Sequence, residues 1–394
     1  MRQTQRVIES RVELFDFLQA QMHTAYRELA DQQRLESEST LIKSYIFEVD
    51  LPTRLLAANA GGRGLDTFIR SLVQPADEKT SHVVVQSKKE EGFFEIRYRT
   101  HEADLVVYLD AGTDSRFWEC FSISKSRYLD TWFHSMAMRK PEFDFVWLWP
   151  GFLKDIQKRG SPRGFGLDYD RRKFGDGDTE ETTTYLKMQI WGGSETDQLY
   201  DSLSHSQQFG NKIVLSKVRM KESAENGNNE EFAVQDVKYT GKFTARGSSF
   251  ETHRRTLNFV RETYAKKVTD IEEGYRLRWR EGKKGEVHME GFALHFIPES
   301  FEIPVNRFCE ALFSGTMPFR LLGFVDFLTD KSAVVDAVDM HTGGKLSFEV
   351  YPDVLSAYLP DGTCGNTILR LYTNIQHYFD KRFSVEADNG EKLF

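Results

Sequence analysis

The residues most suggestive of chemistry lie together in RGFGLDYDRR, positions 163–172. On a strand, side chains two apart share a face, so Asp168 and Asp170 would present paired carboxylates able to share a divalent cation. Arg163, Arg171 and Arg172 beside them supply donors that hold a phosphate by paired hydrogen bonds. This is the minimum apparatus of a metal-dependent phosphodiesterase or nuclease working with Mg2+ or Mn2+. Two-metal chemistry needs further carboxylates, and only Glu180 and Glu181 stand nearby. A salt-bridged strand with a solvated end explains the same letters.

Three other groupings raise the same question. In VVDAVDMHTGGKLSFEV, Asp336, Asp339 and His341 precede Gly343, Gly344 and Lys345. Thr-Gly-Gly between two alternating stretches reads as a hairpin turn, because glycine takes the positive φ such turns need. Asp336 and Asp339 differ in strand parity and face opposite ways, and His341 at the turn is expected to be exposed. The Walker spacing is absent. The run Ala58 to Gly64, with Arg63 inside it, could cradle a phosphate at the start of a helix over 65–73, as a nucleotide-sensing regulator requires. Helix termination by glycine accounts for it equally. His288 and His295 stand seven apart, which is no zinc spacing, and Cys120, Cys309 and Cys364 form no CxxC pair. No resident metal or cofactor and no disulfide framework is therefore expected, and no nucleophile motif supports a hydrolase.

Cations show a more consistent pattern. Lys217, Arg219 and Lys221 share one face of LSKVRMK, as Arg97 and Arg99 do on FFEIRYRT. Arg254, Arg255, Arg261, Lys266 and Lys267 follow on a helix, so residues 195–284 are richer in positive charge than the chain as a whole. Such a face suits phosphate contacts, although a solvated sheet face commonly carries charge for no other reason.

These groups must be positioned by scaffold. Residues 5–35 lack Pro and Gly, and Ile8, Phe15, Met22 and Leu29 recur at sevens, with Val12, Leu18, Ala25 and Tyr26 filling the same stripe. The spacing predicts a long amphipathic helix that packs on its own domain or pairs with the same or another chain. After it, strand-like and helix-like segments recur in one order. The predicted fold is α+β, built of three tandem units of curved antiparallel sheet with a long helix on one face. Boundaries fall at 1–38 for the heptad helix, 39–140 for the first unit and 141–184 for an aromatic strand (Phe143–Trp149), short helix and acidic linker. The second unit, with the basic face, takes 185–280, and the third 286–394. The order of elements resembles that of TATA-binding-protein-like domains, which implies a fold and not a function.

Composition bounds the rest. The 394 residues include 31 Phe, 15 Tyr and 6 Trp, enough for large buried cores. Lys and Arg total 52 against 60 Asp and Glu, a net charge of −8, which excludes a surface wholly devoted to coating nucleic acid or anionic membrane. No apolar run approaches a membrane span and no secretory leader opens the chain, so a cytoplasmic protein without membrane contact is expected. The expected function is binding and assembly without catalysis. The helix at 5–35 would pair with itself or a partner protein. A basic sheet face would hold a nucleic acid or nucleotide, with Lys217, Arg219, Arg254 and Arg255 as its donors. The nuclease on Asp168 and Asp170 and the nucleotide sensor are the alternatives.

Overall fold

The computed structural model describes residues 7–32, 41–51, 63–75, 81–174, 185–207, 209–224, 230–282, 285–299 and 302–394. Among them the chain forms a mixed α+β fold whose antiparallel strands fall in sequence-ordered groups. Helix α1 (Arg11–Gln32) comes first. The first group holds β1 (Ile42–Val49), α2 (Arg63–Val73), β2 (Ser81–Ser87), β3 (Phe93–Thr100), β4 (Asp104–Asp110), β5 (Phe117–Ser122) and α3 (Ser126–Arg139). Then come β6 (Phe143–Phe145), α4 (Pro150–Gln157), β7 (Ser161–Asp170), β8 (Tyr185–Trp191), α5 (Glu195–Ser204), β9 (Leu215–Ser223), β10 (Phe232–Lys238), β11 (Lys242–Gly247) and the long α6 (Phe250–Tyr275). A two-stranded ribbon, β12 (Arg278–Glu281) and β13 (Val287–Glu290), leads to the last group. That group is β14 (Leu294–Pro298), α7 (Val305–Leu312), β15 (Leu321–Thr329), β16 (Ser332–Asp339), β17 (Lys345–Val350), β18 (Leu355–Tyr358), α8 (Asn366–Tyr378) and β19 (Phe383–Ala387). No helix among the described residues is long and apolar enough to cross a membrane.

The boundary expected between the first two units does not interrupt the sheet. Strands run β2-β3-β4-β5-β1-β11-β10-β9-β7-β8 in one eleven-stranded sheet, with β6 as an extra partner of β1. Strand β1 is the seam: Lys43 to Glu48 pair with β5, Ile42 to Tyr45 with β11 and Phe47 to Val49 with β6. All eight of its residues are buried, which accounts for the unbroken run of large side chains there. The third group keeps its own six-stranded sheet, β15-β16-β17-β18-β14-β19. Helix α8 lies between the two sheets with Asn366 to His377 all buried. Tyr169 on β7 donates to the Phe379 carbonyl at 2.9 Å, and His377 Nδ1 meets the Asp168 carbonyl at 2.7 Å.

Two segments depart from expectation. The strand expected to carry Asp168 and Asp170 is longer than that pair, running over residues 161–170 between β8 and β9. It takes in Pro162 and Gly164, the latter at φ 145 with the Trp191 ring where a side chain would stand. The aromatic segment 143–149 is strand only to Phe145. Beyond it, Trp147 N donates to Tyr264 Oη at 2.8 Å and Leu148 N to the Tyr239 carbonyl at 2.7 Å, and Pro150 opens α4.

The N-terminal stripe is used within the chain. Leu14, Leu18, Met22 and Ala25 are buried, and α1 packs on β11 and α6. Phe15 packs edge-on against Phe121 and tilted against Phe250, and Gln19 exchanges hydrogen bonds with Ser248 and Phe250. Val12 and Tyr26, counted on that stripe, are exposed.

Candidate functional site

Directly opposed residues of an antiparallel pair share a face, so the registers assign the faces of the large sheet. Across β1, one face carries Tyr45, Phe47 and Val49, which α2 and α3 cover together with Phe94, Ile96, Val107 and Trp118. Tyr45 opposes Lys242, and from there the same face continues through Thr244, Asp236, Arg219, Gly164 and Trp191. Helices α1, α4, α6 and α8 pack on the reverse side with Phe243, Ala233, Val218 and Leu215. Among the described residues, the face that α3 covers over β1 thus lies open over β11, β10, β9, β7 and β8.

That open stretch is a hollow of about 350 Å3, walled on one side by Ser126 and Asp130 of α3. Six cations line it, Lys187, Lys217, Arg219, Lys238, Lys242 and Arg246, against the three carboxylates of Asp130, Asp168 and Asp236. Arg219 pairs with Asp236 and lies 3.9 Å from the centre of the Trp191 ring, while Lys217 reaches the same carboxylate at 3.4 Å. Lys242 reaches Asp130 at 2.6 Å and Lys187 approaches Asp168 at 3.9 Å. Burial lowers the pKa of Lys238 and raises that of Asp168, which leaves each charge poorly solvated and responsive to a bound ion. Gly166 deepens the floor: a side chain there would meet Lys217 and Gln189. Five strands at about 4.8 Å spacing make the hollow roughly 19 Å across.

Of the residues named from sequence, Lys217 and Arg219 line this hollow, as does Asp168. Asp170 shares their face, yet Arg172 engages its carboxylate twice at 2.7 Å, so the pair forms the salt-bridged strand end. Arg171 lies over the Phe379 ring. Arg254 and Arg255 do not join them. They sit on α6 behind the sheet, Arg254 over Phe15 and beside Glu251, Arg255 donating to the Ser223 carbonyl at 3.1 Å. Helix and sheet charges adjacent in sequence are separated by the sheet itself. Arg163 on β7 is half-buried outside the hollow's lining. The glycine run 58–62 and Glu180 and Glu181 lie outside the described residues, while Arg63 and Gly64 open α2.

A second charged cluster was not anticipated. His341, expected at an exposed turn, is 2% exposed: the turn folds inward so that Nδ1 meets the Pro141 carbonyl and Nε2 comes 3.2 Å from Glu48 Oε2. Asp339 is buried and Asp336 exposed, as their parity requires. Glu48, His341 and Cys364 bring their ligand atoms within 4.8 Å of one another, the one such group of three among the described residues. Cysteine, histidine and carboxylate together are a zinc-like donor set. However, Arg116 places Nε 2.6 Å from Glu48 Oε1 and Nη2 3.1 Å from Cys364 Sγ, so a fixed positive charge stands where a cation would bind. Burial alone would push Glu48 up, but Arg116 and His341 hold its carboxyl well below the usual range. Burial drives the Cys364 thiol upward, the reverse of what a nucleophile needs. Beneath it, fully buried Arg370 binds both Asp144 and Asp339, with Thr367 on Asp339 and Asn366 on Asp144. Arg320 adds a contact to Asp144 at 3.5 Å. This cluster ties β1, β6, α8 and the β16–β17 turn together. Sequence singled out only Asp339 and His341 of it, since its members come from six distant segments.

The comparisons with known proteins agree along the whole length. A protein of Methanocaldococcus jannaschii, described as "Uncharacterized protein MJECL33", is 25% identical over an alignment of 423 positions, covering 98% of this chain and 96% of that one. The model of the family described as "MJECL33-like protein" matches residues 1–394, and the chain belongs to that family.

Proposed function

We propose that this is a binding protein that holds a phosphate-bearing anion, a nucleotide or a nucleic acid, on the open face of its large sheet. One observation carries the reading: where α3 ceases to cover that face, six cations line the hollow, two of them against Trp191, with three carboxylates among the described residues there. Cations in excess over a concave floor attract phosphate oxygens, and an aromatic ring among them offers stacking. Catalysis finds less support. Asp168 lies in the hollow, but Asp170 is taken by Arg172, and neither belongs to a close group of three metal-ligating side chains among the described residues.

Salt dependence tests the reading. Fluorescence anisotropy of a labelled single-stranded oligonucleotide, measured from 50 to 300 mM NaCl, is expected to give a log–log slope of about −2 or steeper, since each phosphate neutralised on a single strand contributes about −0.7. A flat plot, or no binding at 50 mM, would remove the proposal.

A further inference from the structure

We infer that the hollow continues into a pocket for a nucleobase, so that one nucleotide unit is held with its ring in the pocket and its phosphates on Lys238 and Lys242. The inference rests on the anion-binding reading and specifies its ligand. A cavity of about 500 Å3 adjoins the hollow at the β10–β11 turn and shares Asp130, Lys238 and Lys242 with it. Its walls change character: in place of the cations stand Tyr45, Phe145, Trp147, Tyr239 and Tyr378, closed by Met317 and Pro318. The volume lies in the range of small-molecule sites, which combine apolar and aromatic walls with a few polar groups.

The walls are held in place before any ligand arrives. Phe145 packs edge-on against both Phe143 and Trp147, with centroids at 5.6 and 5.9 Å, and Tyr239 lies 4.2 Å from the His377 ring. Tyr45 donates to Asp130 Oδ1 at 2.8 Å while Lys242 takes Oδ2 at 2.6 Å, so the shared rim is rigid and polar. Phe145 and Tyr378 keep part of their ring surface exposed toward the cavity. A flat aromatic group stacks on such rings whatever its edge chemistry. Apolar walls alone would suit many guests; the two lysines at the mouth select one that carries negative charge at one end of a planar ring. A nucleotide, free or as one residue of a single strand, has that shape and charge.

The test uses the full chain. Isothermal titration with the four ribonucleoside triphosphates is set against inorganic tripolyphosphate, which carries the charge without the ring. At least one nucleotide is expected to bind ten-fold or more tightly than tripolyphosphate. Thr131→Trp, or separately His134→Trp, places a ring in the pocket mouth from exposed positions on α3 and should erase that margin while leaving tripolyphosphate within two-fold. Lys238→Glu should weaken both ligands. A short single-stranded oligonucleotide that binds more tightly than any free nucleotide, and is also blocked by Thr131→Trp, assigns the ligand to a strand; the opposite order assigns it to a free nucleotide. Equal binding of nucleotide and tripolyphosphate, with both tryptophan variants silent, would overturn the pocket and leave the anion site standing. Failure of tripolyphosphate and nucleotides alike to bind would overturn both.

Discussion

The molecule holds two concentrations of charge that differ in how they are satisfied. At the junction of the sheets, Arg370 is sealed from solvent and answered by Asp144 and Asp339, and Glu48 by Arg116 and His341. In the hollow, three carboxylates are shared among six cations that line a face not covered by a helix among the described residues. A sealed pair is held by desolvation: its partners attract each other strongly only because neither can return to water. An open, unbalanced cluster gains little from its internal pairs and keeps attraction to spare for a ligand. The first arrangement builds the fold, and the second is where we propose that binding occurs.

If the contrast is sound, the same kind of substitution has opposite consequences at the two places. Arg370→Met should lower the free energy of unfolding by about 3–5 kcal/mol, because Asp144 and Asp339 are left buried without their cation. Lys217→Met in the hollow should shift it by no more than about 0.5 kcal/mol. Urea unfolding measures both, and a loss under about 1 kcal/mol at Arg370 would mean the junction cluster is not what locks the sheets together.

The buried side of the comparison can be sharpened by pH. Burial depresses the pKa of His253 to about 3 and of His377 to about 4, so both are neutral in the folded protein. His253 is satisfied in that form, with Nδ1 at 2.6 Å from Gln235 Oε1 and Nε2 at 2.9 Å from Ser44 Oγ. The unfolded chain takes up these protons near pH 6.5 and the folded one does not. The stability they carry is therefore complete above pH 6.5 and declines as pH falls toward 4, by about 2 kcal/mol per histidine at pH 5. His341 works the other way: burial lowers its pKa, Glu48 outweighs burial and raises it, and its contribution is lost as pH rises. The urea midpoint at pH 5 should lie below that at pH 7, and His253→Gln should shrink the difference. A midpoint that rises on acidification would contradict this assignment.

What could be read from the sequence follows the range of the forces involved. The sequence reads as strand over 93–100, 104–110 and 185–191, and the fold has strands with those bounds, while strand parity put Lys217 and Arg219 on one face. Parity does not say which side of a sheet a neighbouring helix will take. Arg254 and Arg255 were grouped with them for that reason, and the fold sends them to the opposite side. The strand carrying Asp168 and Asp170 was legible, but its start at Ser161 was not, because Gly164 and Gly166 accommodate Trp191 and Lys217, partners that only pairing reveals. His341 was misjudged on the same grounds: Glu48 and Pro141, which draw its turn inward, lie about 200 residues or more away. The heptads of α1 were visible, but their burial against Phe121 and Phe250 was not.

The most direct measurement asks whether binding is local to the open face. Lys217→Glu reverses a charge in the hollow, and Arg99→Glu reverses an exposed one on β3, outside its lining. Both variants change net charge equally, so any difference between them reflects position. Anisotropy of the labelled oligonucleotide at 50 mM NaCl should show Lys217→Glu weakening affinity at least ten-fold and Arg99→Glu changing it less than two-fold. Equal losses in the two variants would show that the chain attracts anions without a site, and the central claim would fall.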